Sequence, residues 1–408
     1  MFQLHPCACP IDEILQMRER DIRLPARIGT LAGSMALAGL GALVLAACDA
    51  PAPGSGEPVE SRSQAPPRPA IDWSPLHYEA PRVEGLVRID GKLDDQAWSA
   101  APWTEDFTDI EGPSRPDPFL RTRAKLMWDD QALWIGAELE EPHVWGTLTE
   151  RDAVIYMDDD FEVFLDPDGD THQYYELEIN ALGTEWDLLL VRPYRDGGPA
   201  IHAWDIPGLR TAVHVDGSLN DPSDRDIGWS VEIAIPWDAL AEATSAAVPP
   251  RPGDRWRVNF SRVDWPVEIR EGRTRKSLDP ATGNAGPEDN WVWSPQGLVA
   301  MHYPEMWGIV RFSDAGGGET TQPFGEDAVE RAGWELRRVY FAQHEHRART
   351  GRFADTADEL ELEPPAPSVS VSWPPGIGAT PHGFEAWLEL DDGRTMRIDH
   401  EGRVRVTP

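Results

Sequence analysis

Residues 159–180 read DDFEVFLDPDGDTHQYYELEIN. Two strand-forming runs flank Asp166-Pro167-Asp168-Gly169, a set of turn formers that breaks the chain between them. In the second run Tyr175, Leu177 and Ile179 fall on one side, and Glu176, Glu178 and Asn180 on the other. Side chains alternate across a strand, so this pattern predicts one face on a core and one toward solvent. Working outward, similar runs occur at 123–128, 132–139, 186–191, 209–215, 228–235 and 255–262. Asp129-Asp130, Asp196-Gly197-Gly198 and Asp216-Gly217 break them. One short helical stretch, 237–242, follows Ile235-Pro236. Helices do not alternate with strands, which argues against a doubly wound parallel sheet. The predicted fold is all-β: an antiparallel β-sandwich of jelly-roll type over residues 76–315.

Composition narrows the function. The 408 residues carry 37 Lys+Arg against 71 Asp+Glu, a net charge of −34. Nucleic acids and anionic membrane surfaces are recognised by clustered cations, so neither is an expected partner. A hydrophobic fraction of 40% supports a sizeable core. Of the 18 Trp, 14 lie between residues 98 and 307. Most are expected in the core, with a few left to line a binding face.

The N-terminus predicts the compartment. Residues 31–47, LAGSMALAGLGALVLAA, are uncharged, follow Arg18, Arg20, Arg23 and Arg27, and end at Cys48. That order of basic, apolar and small residues is a secretion signal. Leu45-Ala46-Ala47-Cys48 resembles the bacterial lipoprotein cleavage box. The resemblance implies a signal peptide over residues 1–47, lipidation of Cys48, and an exported protein anchored in the cell envelope through lipid alone. Met1 and Met17 remain alternative starts. Cys7 and Cys9 precede the cut, so the mature chain would have no disulfide and no free thiol. Residues 48–75, rich in Pro, Ser and Gly, are expected to form a flexible tether.

A resemblance emerges from ordered motifs. Val87-Arg88-Ile89-Asp90-Gly91-Lys92-Leu93-Asp94-Asp95-Gln96-Ala97-Trp98 resembles the opening motif of family 9 carbohydrate-binding modules. The matches continue through Leu133-Trp134-Ile135, residues 159–166, Trp229–Trp237, 257–262 and Trp293-Ser294-Pro295 to Pro304-Glu305-Met306-Trp307-Gly308. The resemblance implies a sandwich that binds sugar between flat rings and a polar rim. The family's first stacking ring falls at Tyr156 and its second at Met301, which is not a ring; its carboxylate falls at Glu162. Where the family carries an Arg, this chain has Glu178 or Asn180. Trp291 and Trp293 are candidate replacement rings, so the expected ligand contacts are Tyr156, Glu162, Trp291 and Trp293.

Asp166, Asp168 and Asp170 place carboxylates at alternate positions around Gly169. Calcium favours such hard oxygens, and the family carries structural calcium, so these residues are the expected metal ligands. The alternative is a solvated Asp-rich turn. Nucleophile-elbow, phosphate-loop, dinucleotide and His-Glu-x-x-His motifs are missing from the sequence, so no catalytic residue is assigned. Residues 326–349 have helical spacing with Gly351 as a stop, and 384–390, 395–399 and 403–406 read as strands. They predict a small C-terminal α+β module over 325–408, expected to dock on the sandwich or a protein partner. The expected function is non-catalytic carbohydrate binding, ancillary to glycan degradation. The alternatives are a structural or assembly lipoprotein, and a glycoside-hydrolase-associated or haem-binding relative of the sandwich.

Overall fold

The computed structural model describes residues 65–314 and 324–408. Cys48 and the expected signal peptide lie outside them. The strands are β1 (His77–Pro81), β2 (Thr108–Asp109), β3 (Thr122–Trp128), β4 (Ala132–Glu140), β5 (Asp160–Asp166), β6 (Tyr174–Asn180), β7 (Glu185–Leu190), β8 (Ala200–Ile201), β9 (Arg210–Asp216) and β10 (Gly228–Pro236). After the short helix α1 (Trp237–Leu240) come β11 (Arg255–Asp264), β12 (Val267–Arg270), β13 (Arg273–Lys276), β14 (Asp289–Val292) and β15 (Gly308–Ser313). The C-terminal part is α2 (Ala328–Thr350) followed by β16 (Gly376–Ala379), β17 (Phe384–Glu389), β18 (Thr395–Asp399) and β19 (Val404–Thr407).

A nine-stranded sheet, β1-β15-β11-β5-β6-β7-β8 with β14 and β2 branching from β11, faces a four-stranded sheet, β3-β4-β10-β9. Pairing is antiparallel except between β1 and β15, which run parallel. The core lies between the sheets. Leu126, Ile135, Val231 and Ile233 of the smaller sheet meet Phe161, Val163, Leu177 and Phe260 of the larger. These are the apolar members of the alternating pattern, and branched and aromatic side chains suit a pleated, packed surface.

The segment between β1 and β2 clips onto the far side of the smaller sheet. The Trp98 indole and the backbone N–H groups of Asp90 and Gly91 all donate to the Glu232 carboxylate of β10, at 2.8–2.9 Å. A Cβ on Gly91 would lie 2.4 Å from the His214 backbone nitrogen, and its φ is +85°. Only glycine tolerates that approach and that conformation. This opening motif is therefore architectural.

The C-terminal helix packs on β17 and β18 through Leu336, Val339, Tyr340, Phe384, Leu388 and Ile398. Tyr303 and Met306 from the end of the sandwich join the same cluster. Residues 65–75, read from composition as part of a tether, pack here too. Trp73 stacks on Trp334 at 5.6 Å, the Tyr303 hydroxyl donates to the Pro67 carbonyl, and Ala70 N donates to the Gly297 carbonyl. Pro-rich composition favours extended chain, but extended chain can also lie in a groove and bury its few apolar groups.

Candidate functional site on the outer face of the large sheet

On β5 and β6 every residue is buried, including the side that alternation assigns to solvent. The sandwich core covers one face. The other is covered by Ile155, Met301 and Trp307 from flanking segments, which pack with Trp186 and Leu188 of β7 in the same sheet. Glu162 and Glu178 are directly opposite each other across the β5–β6 pair, and Phe164 faces Glu176. A sheet buried on both sides cannot be recognised from alternation alone, because the covering segments are remote in sequence.

This covered polar face is strongly acidic. Asp160 is 0%, Glu162 5% and Glu178 2% exposed. Burial pushes the Glu162 carboxyl up to about 7, opposed by Ser261 and reinforced by Glu288. Burial also raises Glu178, with repulsion from Glu162, Asp160 and Glu176 adding to it. Asp160 is raised by burial and by Glu162. Lys276 of β13 lies nearby, 3.2 Å from the Trp265 ring centroid. Burial lowers its ammonium to about 8, although Asp158 and Asp159 favour the charged form.

Aromatic rings stand beside these carboxylates. The Tyr156 backbone N–H donates to Glu178 Oε2 at 3.0 Å, and its carbonyl accepts from Trp265 Nε1 at 2.8 Å. The Tyr156 ring is half-buried and its centroid lies 6.5 Å from that of Trp186. Trp186 in turn stacks on exposed His202 at 5.6 Å with an interplanar angle of 12°. Register explains the placement: Trp186 is the β7 partner of Glu178, so ring and carboxylate share a row. Trp186 and His202 were not singled out in the sequence; the alternation of 186–191 carries the only signal for Trp186.

The structure separates the expected contacts. Tyr156 and Glu162 sit on this outer face. Trp291 is 2% and Trp293 0% exposed, and both belong to the sandwich core. Trp293 packs on Tyr78 and Phe260 and donates to Glu105; Trp291 meets Phe119 edge-on and lies beneath the Arg262 guanidinium. Their expected placement on an open groove is therefore corrected. Residues 291 and 293 do share a face of the chain, but it points inward while Val292 packs outward. Met301 is buried beside Trp307, whose indole donates to its carbonyl.

Asp166, Asp168 and Asp170 do converge, with one oxygen of each within 4.8 Å of the others. Each carboxylate already has protein donors. Asp166 accepts from Gly169 N and Thr171 N, Asp168 from Ser245 N and Oγ, and Asp170 from His172 N and the Arg403 guanidinium. Calcium there would compete with Arg403 for Asp170. A further buried group, Glu141, Asp159 and Asp264, surrounds the Arg262 guanidinium, which donates to Glu141 at 2.8 Å. Nothing in the sequence motifs pointed to it.

Residues 89–249 match the family model described as carbohydrate family 9 binding domain-like. Over this segment the chain is similar to that family. The segment holds Glu162, Glu178, Tyr156, Trp186 and His202, whereas Trp291 and Trp293 lie beyond it. The chain is 27% identical over 161 residues to exoglucanase XynX of Acetivibrio thermocellus, covering 40% of this chain and 12% of that protein. It is 25% identical over 169 residues to endo-1,4-beta-xylanase A of Thermoanaerobacterium saccharolyticum, covering 41% and 12%. The chain thus spans about an eighth of these curated relatives. Among solved structures it is similar to a family 9 carbohydrate-binding module from Caldicellulosiruptor kristjanssonii in complex with cellotriose. That likeness has 17% identity and a TM-score of 0.38, and covers 61% of this chain and all of that one. The same family's module in complex with glucose gives 17% identity and a TM-score of 0.38, covering 60% and 99%.

Proposed function

We propose that this protein binds carbohydrate without cleaving it, at the half-buried Tyr156 ring and exposed His202 on the rim of the covered outer face of the nine-stranded sheet. The observation that carries the reading is the row of Tyr156, Trp186 and His202 beside Glu162 and Glu178, all inside the family 9-like segment. A sugar offers a C–H face that packs on flat rings and hydroxyls that donate to carboxylates. The curated relatives are an exoglucanase and a xylanase, so cello- and xylo-oligosaccharides are the ligands to try first. The proposal includes export and lipid attachment at Cys48, which would hold the acidic binding domain at the cell envelope.

Isothermal titration with cellotetraose and xylotetraose tests the reading. Tyr156→Ala and Glu162→Gln are each expected to weaken binding at least ~10-fold, about 1.4 kcal/mol, as for a buried anchor in a binding patch. Unchanged affinity in both variants, or no binding of either sugar by the native protein at millimolar concentration, sinks it. A second reading, a structural lipoprotein that uses the sandwich for protein contacts, is favoured by the burial of Trp291 and Trp293. It predicts a partner protein that co-purifies in stoichiometric amount and does not dissociate on addition of sugar.

A further inference from the structure

The outer face carries an uncompensated charge problem. Glu162 and Glu178 are cross-strand partners, and Asp160 lies two residues along β5 on the same face. One oxygen of each falls within 4.8 Å of the others. Like charges directly opposite in a sheet destabilise it, and burial without a counter-charge makes the cost larger. Among the described residues, none of the three carboxylates forms an ion pair with Lys or Arg. Asp160 Oδ2 and Glu162 Oε2 are buried without a hydrogen-bond partner.

A separate group points to the same place. Ser261 of β11 is the cross-strand partner of Glu162 on its other side, and it is fully buried. Its hydroxyl makes no hydrogen bond of normal geometry. Lys276, which feels the charges of Asp158, Asp159 and Asp160, rests on the Trp265 ring, and its ammonium also lacks a hydrogen-bond acceptor. A buried hydroxyl paired across from Glu162 and two unsatisfied carboxylate oxygens on the same strand form a hard-oxygen donor set. Oxygens up to about 5 Å apart can share one calcium at its bond length of ~2.3–2.6 Å, whereas magnesium's shorter bonds limit them to roughly 4.2 Å.

We propose that Asp160, Glu162 and Glu178, with the Ser261 hydroxyl, hold one calcium ion on the outer face of the large sheet. The ion would replace a missing Arg or Lys as counter-charge to the β5–β6 pair. This site is distinct from the Asp166–Asp170 turn, where protein donors already meet each carboxylate. It concerns the same Glu162 and Glu178 as the carbohydrate reading, and the two fail separately because this test contains no sugar.

The experiment strips the whole chain with a chelator, then follows calcium binding by calorimetry and thermal unfolding. The native protein is expected to bind calcium and to gain several degrees in melting temperature. Glu178→Gln removes one like charge but keeps an acceptor for Tyr156 N. It is expected to raise the melting temperature of the stripped protein and to weaken calcium binding at least tenfold. Glu162→Gln serves as a second variant with the same expected result. Asp168→Asn, in the turn, should leave calcium affinity within twofold of native. No calcium binding by the native chain overturns the proposal. So does native affinity in Glu178→Gln and Glu162→Gln, or loss of binding confined to Asp168→Asn.

Discussion

Glu162 shows how much a single residue's environment changes its chemistry. In sequence it is one of many acids on an alternating strand; in the fold its carboxyl is pushed to about 7 against an ordinary 4.5. An acid with a raised folded-state value takes up protons on folding. Its favourable contribution is fully present below about pH 4.5 and is lost as the pH rises through 7. Glu162→Gln, which stays neutral, should therefore gain on the native protein as calcium-free buffer goes from pH 5 to pH 8. The gain is at most about 3 kcal/mol at the upper end. Chemical denaturation of both proteins across that range measures it, and parallel stability curves would contradict it. Tyr156 and Glu162 were singled out through the family resemblance, because motif order carries positions from one sequence to another. Trp291 and Trp293 were misplaced because the sequence shows that they share a face, not which way that face points.

At the scale of elements, most strands and the long helix were legible. The run 255–262 became β11 and the helical spacing of 326–349 became α2, because period and punctuation are local properties. The start of α2 shows the local logic closely. The Asp327 side chain accepts from Glu330 N at 2.9 Å, and Glu330 accepts in return from Asp327 N at 2.8 Å. Gly351 ends the helix in a left-handed conformation with φ +83°. Asp327→Ala removes half of this reciprocal cap and should destabilise the protein by about 1 kcal/mol. Urea unfolding with an unchanged m-value checks it; no change in midpoint would mean that tertiary packing alone fixes the helix start. The outer side of β6 failed to read because its covering segments come from residues 155 and 301–307.

The whole molecule is held across its parts by a buried charge network. Arg195, after β7, donates to Glu305 at 2.8 Å, and Arg337 of α2 lies 3.7 Å from the same carboxylate. The Tyr340 hydroxyl bonds Asp196, and Arg337 donates to the Gly402 carbonyl at 2.7 Å. Burial alone would raise the Glu305 carboxyl, but Arg195 and Arg337 more than offset it and hold it below its usual range. Removing that acid leaves two guanidinium groups buried without their shared partner. Glu305→Ala is expected to cost about 3–5 kcal/mol. Because the network joins the sandwich to the C-terminal helix, calorimetry should show one shifted transition, not a separate early melt of residues 324–408. Two resolved transitions in the native protein would refute that coupling.

The sequence by itself determined the all-β class, the order of the elements, the C-terminal helix-and-meander and the family 9-like resemblance. Those follow from period, turn chemistry and motif order, which act over a few residues. Only the tertiary structure decided that residues 65–75 are packed, that Trp291 and Trp293 are core, and that both faces of β5 and β6 are covered. Each depends on which remote segment lies against which face, and the hydrophobic effect is non-directional, so a strand pattern does not name its partner. The same reason explains the acidic face: side-chain alternation put Glu162 and Glu178 on equivalent sides of two strands, but strand register set them opposite one another.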